Sequence, residues 1–162
     1  MPMTLEALEA SALGTMVRES LYGFPIFITL HLVGLVLSIA PLLWFDLRLT
    51  GLTLTSVPVS RVYRQVIPWS ATGFVLAGAT GAVLFSGYAS KAVANPYFWT
   101  KLTALLIAGA NAAAYHAVTE RTRAEWDRQA VPPLSARAAG MISIVCWATV
   151  IVCGRMMAYT MY

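Results

Sequence analysis

The sequence predicts an all-α, polytopic membrane fold: four transmembrane helices in a bundle, preceded by a short N-terminal interfacial helix. Three observations predict it. Hydrophobic residues fill 59% of the 162 positions, more than a soluble domain needs for its core. Charged residues make up only 11% and fall in clusters. Charge-free runs separate those clusters, between Arg64 and Lys91 and between Arg137 and Arg155. A helix needs roughly 20 apolar residues to cross hydrocarbon. One transmembrane domain over residues 1–162 accommodates the chain, with no internal repeat or low-complexity tract.

The opening segment Thr4–Ser20 places Leu5, Leu8, Ala12 and Met16 at helical spacing, with Glu6 and Glu9 outside that face. This predicts a short helix lying in the interface. Its scattered charges differ from a cleavable signal peptide, so the first span itself is expected to drive insertion. That span covers Leu21–Phe45. Pro25 suits a first helical turn, and Pro41 is expected to kink or end the helix. Thr50-Gly51 and Ser56-Val57-Pro58 then break the chain. Val59–Val66 has the pattern of a short basic amphipathic helix at the membrane surface. Pro68 opens span two, Pro68–Tyr88. Asn95-Pro96 is a cap followed by a proline and starts span three, Tyr97–Thr119. Lys101, near its start, can extend toward the headgroups. Span three should continue as a helix past the bilayer, with Glu120–Arg123 and Arg123–Asp127 pairs on one face. Pro132-Pro133 stops it. Span four covers Ala138–Tyr159, because Met156–Tyr159 can lengthen the run of 17 uncharged residues at 138–154.

Four spans put both termini on one side with Arg18, Lys91, Lys101 and Arg155. The other side holds Arg48, Arg61, Arg64, Arg121, Arg123, Arg128 and Arg137. Seven against four predicts that the second side is cytoplasmic and that the termini are periplasmic. The net charge of +4 suits a membrane surface, with the lipid bilayer as partner. The basic residues border spans and form no stripe with aromatics, so nucleic acid is not an expected partner. Trp44, Trp69, Trp99, Tyr97, Tyr159 and Tyr162 fall where interfacial anchors belong, while Trp147 lies well inside span four. Arg18-Glu19 and Asp46-x-Arg48 frame span one and can form ion pairs that fix its depth.

Small residues recur every four positions: Gly34 and Ser38, then Gly73, Ala77 and Gly81, then Ala104, Ala108 and Ala112 leading to His116. Such stripes allow close helix packing or leave room for a planar cofactor. Thr80, Asn111, Ser143 and Thr149 can add interhelical hydrogen bonds.

The two histidines lie within the apolar stretches, where a titratable group needs a partner, a metal or a cavity. His31 lies six residues past Pro25, about 9 Å into its span. His116 lies twenty residues past Pro96, near the other end. Their depths differ by about 20 Å, which argues against one haem held by both within a chain. Three readings of His31 stand. It ligates a b-type haem, with an axial partner from another helix or a symmetry-related chain. It is a buried, hydrogen-bonded histidine that tightens the bundle. Or it binds copper with Cys153 and Met156 or Met157, whose soft sulfurs suit monovalent copper. His116 pairs with Glu120 one turn away, or serves as a second haem ligand or quinone contact. Cys146 and Cys153 are seven residues apart, too far for a mutual disulfide, and lack CxxC spacing. No Ser–His–Asp set or carboxylate pair marks a catalytic centre.

Several stretches carry a resemblance: Arg18–Pro25, His31–Leu35, Phe45–Leu49, Pro68-Trp69, Thr80-Gly81, Leu84–Ser86, Asn95-Pro96 with Lys101, and Gly109–Ala112 ending at His116. Together they are similar to a small uncharacterised bacterial family of integral membrane proteins with a domain of unknown function. The resemblance covers most of residues 15–120 and implies a four-span fold without an established reaction. Ile26–Leu30 carries no carboxylate, so a role needing an acid one turn before His31 is not expected. The resulting expectation is a bacterial inner-membrane protein that forms a homo-oligomer or joins a membrane complex. It is a b-type haem electron-transfer subunit through His31, a structural or accessory subunit without cofactor, or a copper-binding protein.

Overall fold

The computed structural model describes residues 4–160 and is all-α, with four long helices apolar enough to cross a membrane. Helices α1 (Leu5–Glu9) and α2 (Ala12–Glu19) lead into α3 (Gly23–Thr50). Next come α4 (Val59–Gly87), the short α5 (Ala89–Ala94) and α6 (Pro96–Ala114). A π turn (Tyr115–Thr119) and a 3-10 turn (Glu120–Thr122) connect α6 to α7 (Arg123–Trp126), and α8 (Leu134–Thr160) closes the chain.

The N-terminal segment forms two helices where one was expected. The Ser11 hydroxyl donates to Leu8 O and accepts from Gly14 N, ending α1 and capping α2 together. The buried face also differs. Leu5 and Met16 are exposed, while Gly14 and Val17 are buried against the end of α4. A Cβ at Gly14 would lie 2.7 Å from Ser86 O, and one at Gly87 would lie 2.7 Å from Val17 Cγ1. The α2 helix therefore seats directly on the α4 backbone.

Two prolines expected at helix boundaries lie inside continuous helices. Helix α3 runs through Pro41 and stops only at Gly51, whose φ of +78° forms a left-handed cap. Helix α4 runs through Pro68, joining the expected surface helix and span two into 29 residues. Pro68 removes one backbone donor, the one that would serve the Arg64 carbonyl, and the helix continues through it. Other signals act as read: the Asn95 Oδ1 accepts from Tyr97 N at 3.0 Å and Pro96 opens α6.

Helix α3 packs most extensively on α4. Glycines bring the backbones together, and a Cβ at Gly34 would lie 2.6 Å from Ala77 N. Gly73 faces Leu37 and Ser38 just as closely. The stripe Gly34–Ser38–Gly73–Ala77 is thus filled by helix packing and leaves no slot there for a planar group. Helix α8 packs on α3 through Gly140 and on α6 along much of its length, whereas α4 and α6 share no comparable backbone contact. Side chains bridge this fourth edge near its two ends. Phe85 stacks on Phe98 at the terminal end, and Tyr63 meets the His116 ring at the loop end.

One apolar core, around Phe45, Leu49, Val62, Tyr115 and Trp126, fills the loop end. A second, around Ile39, Ala104, Trp147 and Val150, fills the middle. Trp44, Trp69, Trp99 and Tyr159 are more than half exposed, as interfacial anchors require, and Tyr97 is half-buried. Tyr162 lies outside the described residues.

Candidate functional site

The polar groups inside the bundle fall into two layers. The loop-end layer is structural. Arg48 is completely buried, so it is not part of the charged surface. Its Nε donates to Val57 O and its Nη2 to Gln129 O, both at 2.8 Å. One guanidinium therefore ties both interhelical loops at this end to α3. Its Nη1 has no partner among the described residues. Asp46 accepts from Ser143 Oγ at 2.6 Å, linking α3 to α8. Asn111 Nδ2 donates to Ala139 O at 2.9 Å, linking α6 to α8. Thr149 bonds instead to a carbonyl of its own helix, at Val145, while Thr80 donates to Leu76 O on its own helix and also meets His31 of α3.

The ion pairs expected at the ends of span one are not formed. Arg18 donates to the carbonyls of Glu9 and Gly87, and Arg48 serves loop carbonyls. Among the described residues, ion pairing is confined to Glu120, which joins His116 and Arg123. Asp127 does not pair with Arg123 either. It caps α4, its two carboxylate oxygens accepting from Ser60 N and Ser60 Oγ, each at 2.7 Å. Partial burial works against its ionisation. The Ser60 donors, with Arg123 and Arg128 nearby, nevertheless hold the Asp127 carboxyl below the usual aspartate range.

His116 is on the π turn and is exposed, with Nδ1–H donating to Glu120 Oε2 and the ring against Tyr63 and Tyr115. It therefore forms part of a surface network at the loop end. His31 lies far from it. Its ring contacts α4 at Ala77 and Gly81, and His116 meets α4 at Tyr63, at least fourteen residues or about 21 Å away along the helix. The structure does not bring the two histidines together.

The second layer, toward the terminal end, is the candidate site. His31 Nδ1 lies 2.8 Å from Ala77 O and 3.3 Å from Thr80 Oγ1. A carbonyl only accepts, so Nδ1 carries the hydrogen and Nε2 keeps its lone pair. Gly81 gives the ring its place, since a Cβ there would lie 3.1 Å from Cε1. Lys101, from α6, is half-buried. Its Nζ reaches α8 beside Gly154, 3.9 Å from where a Cβ would be. It lies within electrostatic range of both His31 and Cys153. Cys153 is buried, and Met157 is half-buried one turn further along α8. Cys146 and Cys153 are both free thiols.

Lys101 and Gly154 were not expected here. Their signal was a charge inside an apolar window opposite a glycine at matching depth on span four. Among the described residues, no three His, Cys, Asp or Glu side chains converge as a metal cluster. No curated protein and no solved structure matches the chain. The family model described as a family of unknown function, DUF6644, matches residues 5–160, and the chain belongs to that family.

Proposed function

We propose that this chain is a structural or accessory subunit of a bacterial inner-membrane complex, without a resident redox cofactor. One observation carries the reading: the α3–α4 small-residue stripe is filled backbone against backbone, with Gly34 on Ala77 and Gly73 on Ser38. The volume a porphyrin would use along that stripe is occupied by helix. The polar layers join helices and loops to one another, as a scaffold requires. We further propose that the loop end is cytoplasmic. Without buried Arg48, that end still carries six Lys and Arg residues against four at the terminal end.

The second reading is a b-type haem on His31. It is favoured by the Nδ1–H bond to Ala77 O, which leaves Nε2 free in the manner of an axial ligand. The other axial ligand would have to come from another chain, because His116 is too distant. Copper on His31, Cys153 and Met157 faces the charge of Lys101, which opposes a cation at this position. Self-association is supported by an apolar groove of about 680 Å³ between α6 and α8, lined by Trp99, Thr103, Ile107, Met141, Val145 and Thr149.

A reduced-minus-oxidised visible spectrum of protein purified in mild detergent after haem-replete expression tests the proposal. The expected result is no Soret or alpha band, with no copper by elemental analysis. Stoichiometric bands abolished by His31→Gln would replace it with the haem reading.

A further inference from the structure

We propose that Arg61 and Arg64 bind the phosphate of an anionic phospholipid whose acyl chains lie along the outward face of α4. The first observation is direction. At about 100° per residue, Arg61, Arg64, Pro68, Ala71 and Val75 fall within about 80° of one another around the helix. All five are exposed. Val62, Val66, Ser70, Gly73 and Ala77 are buried on the opposite side. Two arginines therefore head an outward stripe that turns apolar at Pro68, one turn below Arg64.

The second observation is depth. Helix α4 is continuous from Val59 to Gly87, so both arginines stand above the span instead of lying flat on the membrane surface. Gly34 packs on Ala77, and Gly73 on Ser38. That antiparallel register sets Trp44 level with Ile67, so the exposed Trp44 and Trp69 share one depth within about 3 Å. They mark the edge of the hydrocarbon at the loop end. Arg64 and Arg61 lie about 8 and 12 Å beyond Trp69. The headgroup region, roughly 5–8 Å deep, begins at that edge, so Arg64 stands at its level and Arg61 covers its outer side. The third observation is charge. Neither arginine makes an ion pair among the described residues. Acidic groups of the same end are held elsewhere: Asp46 by Ser143, Glu120 by His116 and Arg123, and Asp127 by Ser60. A guanidinium matches two oxygens of a phosphate. A water-borne acidic protein segment would match the charge but not the apolar stripe beneath it, whereas a phospholipid matches both.

The inference goes beyond the proposed function and holds whether or not a cofactor is bound. Intact protein in mild detergent is titrated with dioleoylphosphatidylglycerol and, separately, with zwitterionic dioleoylphosphatidylcholine, and bound lipid is read by native mass spectrometry. Each arginine near a membrane surface contributes about fivefold to anionic-lipid affinity. The wild-type protein should therefore favour phosphatidylglycerol by roughly thirtyfold. Arg64→Gln should weaken phosphatidylglycerol about fivefold, and Arg61→Gln with Arg64→Gln should abolish the preference while phosphatidylcholine binding is unchanged. Arg137→Gln removes the same charge from exposed α8, which lacks comparable packing on α4, and should leave both affinities as they are. Equal binding of the two lipids by the wild-type protein would overturn the inference without reference to any variant. A preference that survives in the double variant would overturn the role of the two arginines. An equal loss in Arg137→Gln and Arg64→Gln would replace the site with diffuse surface charge. Displacement of bound phosphatidylglycerol by inorganic phosphate or by polyglutamate at equal concentration would overturn the lipid as the ligand.

Discussion

Adding one methyl group at Gly34 tests the close packing of α3 on α4. The Cβ of Gly34→Ala would lie 2.6 Å from Ala77 N and 3.0 Å from Ala77 Cα and Gly73 O. Ordinary contact begins near 3.4 Å, so the helices must separate by about 0.8 Å. The atoms met are backbone and cannot rotate away. Overpacking of this kind costs about 1–3 kcal/mol, offset by up to about 1 kcal/mol of helix propensity gained by replacing glycine with alanine. Gly78→Ala is the matched control, because a Cβ there meets nothing within 4 Å and the propensity gain stands alone. The two variants should therefore differ by about 2 kcal/mol, roughly thirtyfold in the unfolding equilibrium. Reversible unfolding in mixed micelles, followed by circular dichroism, measures the difference. Ala77→Gly should not rescue Gly34→Ala, since the conflict is with backbone. If Gly34→Ala were as stable as Gly78→Ala, the account of α3–α4 packing would be wrong.

Other substitutions test the polar layers. Arg48→Met removes two charge-assisted bonds to loop carbonyls and should cost about 3 kcal/mol; limited proteolysis should then cut within residues 51–58 or 127–133. Asn111→Ala should lower thermal stability in detergent by about 1 kcal/mol, through loss of the bond to Ala139 O. Asp127 has a depressed folded-state pKa. Its contribution is complete above the range where a free aspartate titrates and is lost as pH falls through the lower folded value. Wild-type stability should therefore fall toward that of Asp127→Asn below about pH 4, and a constant gap down to pH 2 would refute its capping role.

The four spans were legible because charge-free length is a one-dimensional property. Gly51 and Asn95-Pro96 were legible for the same reason, since each acts on its immediate neighbours. The continuity of α4 through Pro68 was not, because a proline removes a single hydrogen bond and the packing of α4 on α3, a contact between distant segments, holds the helix together. The site layer depended on contacts between distant segments. Lys101 and Gly154 are 53 positions apart, and only the packing of α6 on α8 brings them together. In the sequence Arg48 counts as one charge among those bordering the spans. Its fixed, multi-donor guanidinium instead matched carbonyls from two loops, a geometry that no count contains. Helical spacing pairs Asp127 with Arg123, but Ser60 on another helix takes both of its carboxylate oxygens, a contact that spacing within one helix does not show.

The π turn carries a phase consequence for everything after it. A wider turn absorbs an extra residue, and each residue of an ordinary helix advances by about 100°. The alanine stripe 104–108–112 therefore stops predicting direction at His116. Deleting one residue from within Tyr115–Thr119 should restore regular winding and leave Glu120 and Arg123 near their places, whereas deleting one from the regular part of α6 should swing His116, Glu120 and Arg123 by about 100° around the axis. Tyr63 would then face a different surface, and Asp127 would be carried away from Ser60, so a one-residue change in length would release α4 from its cap.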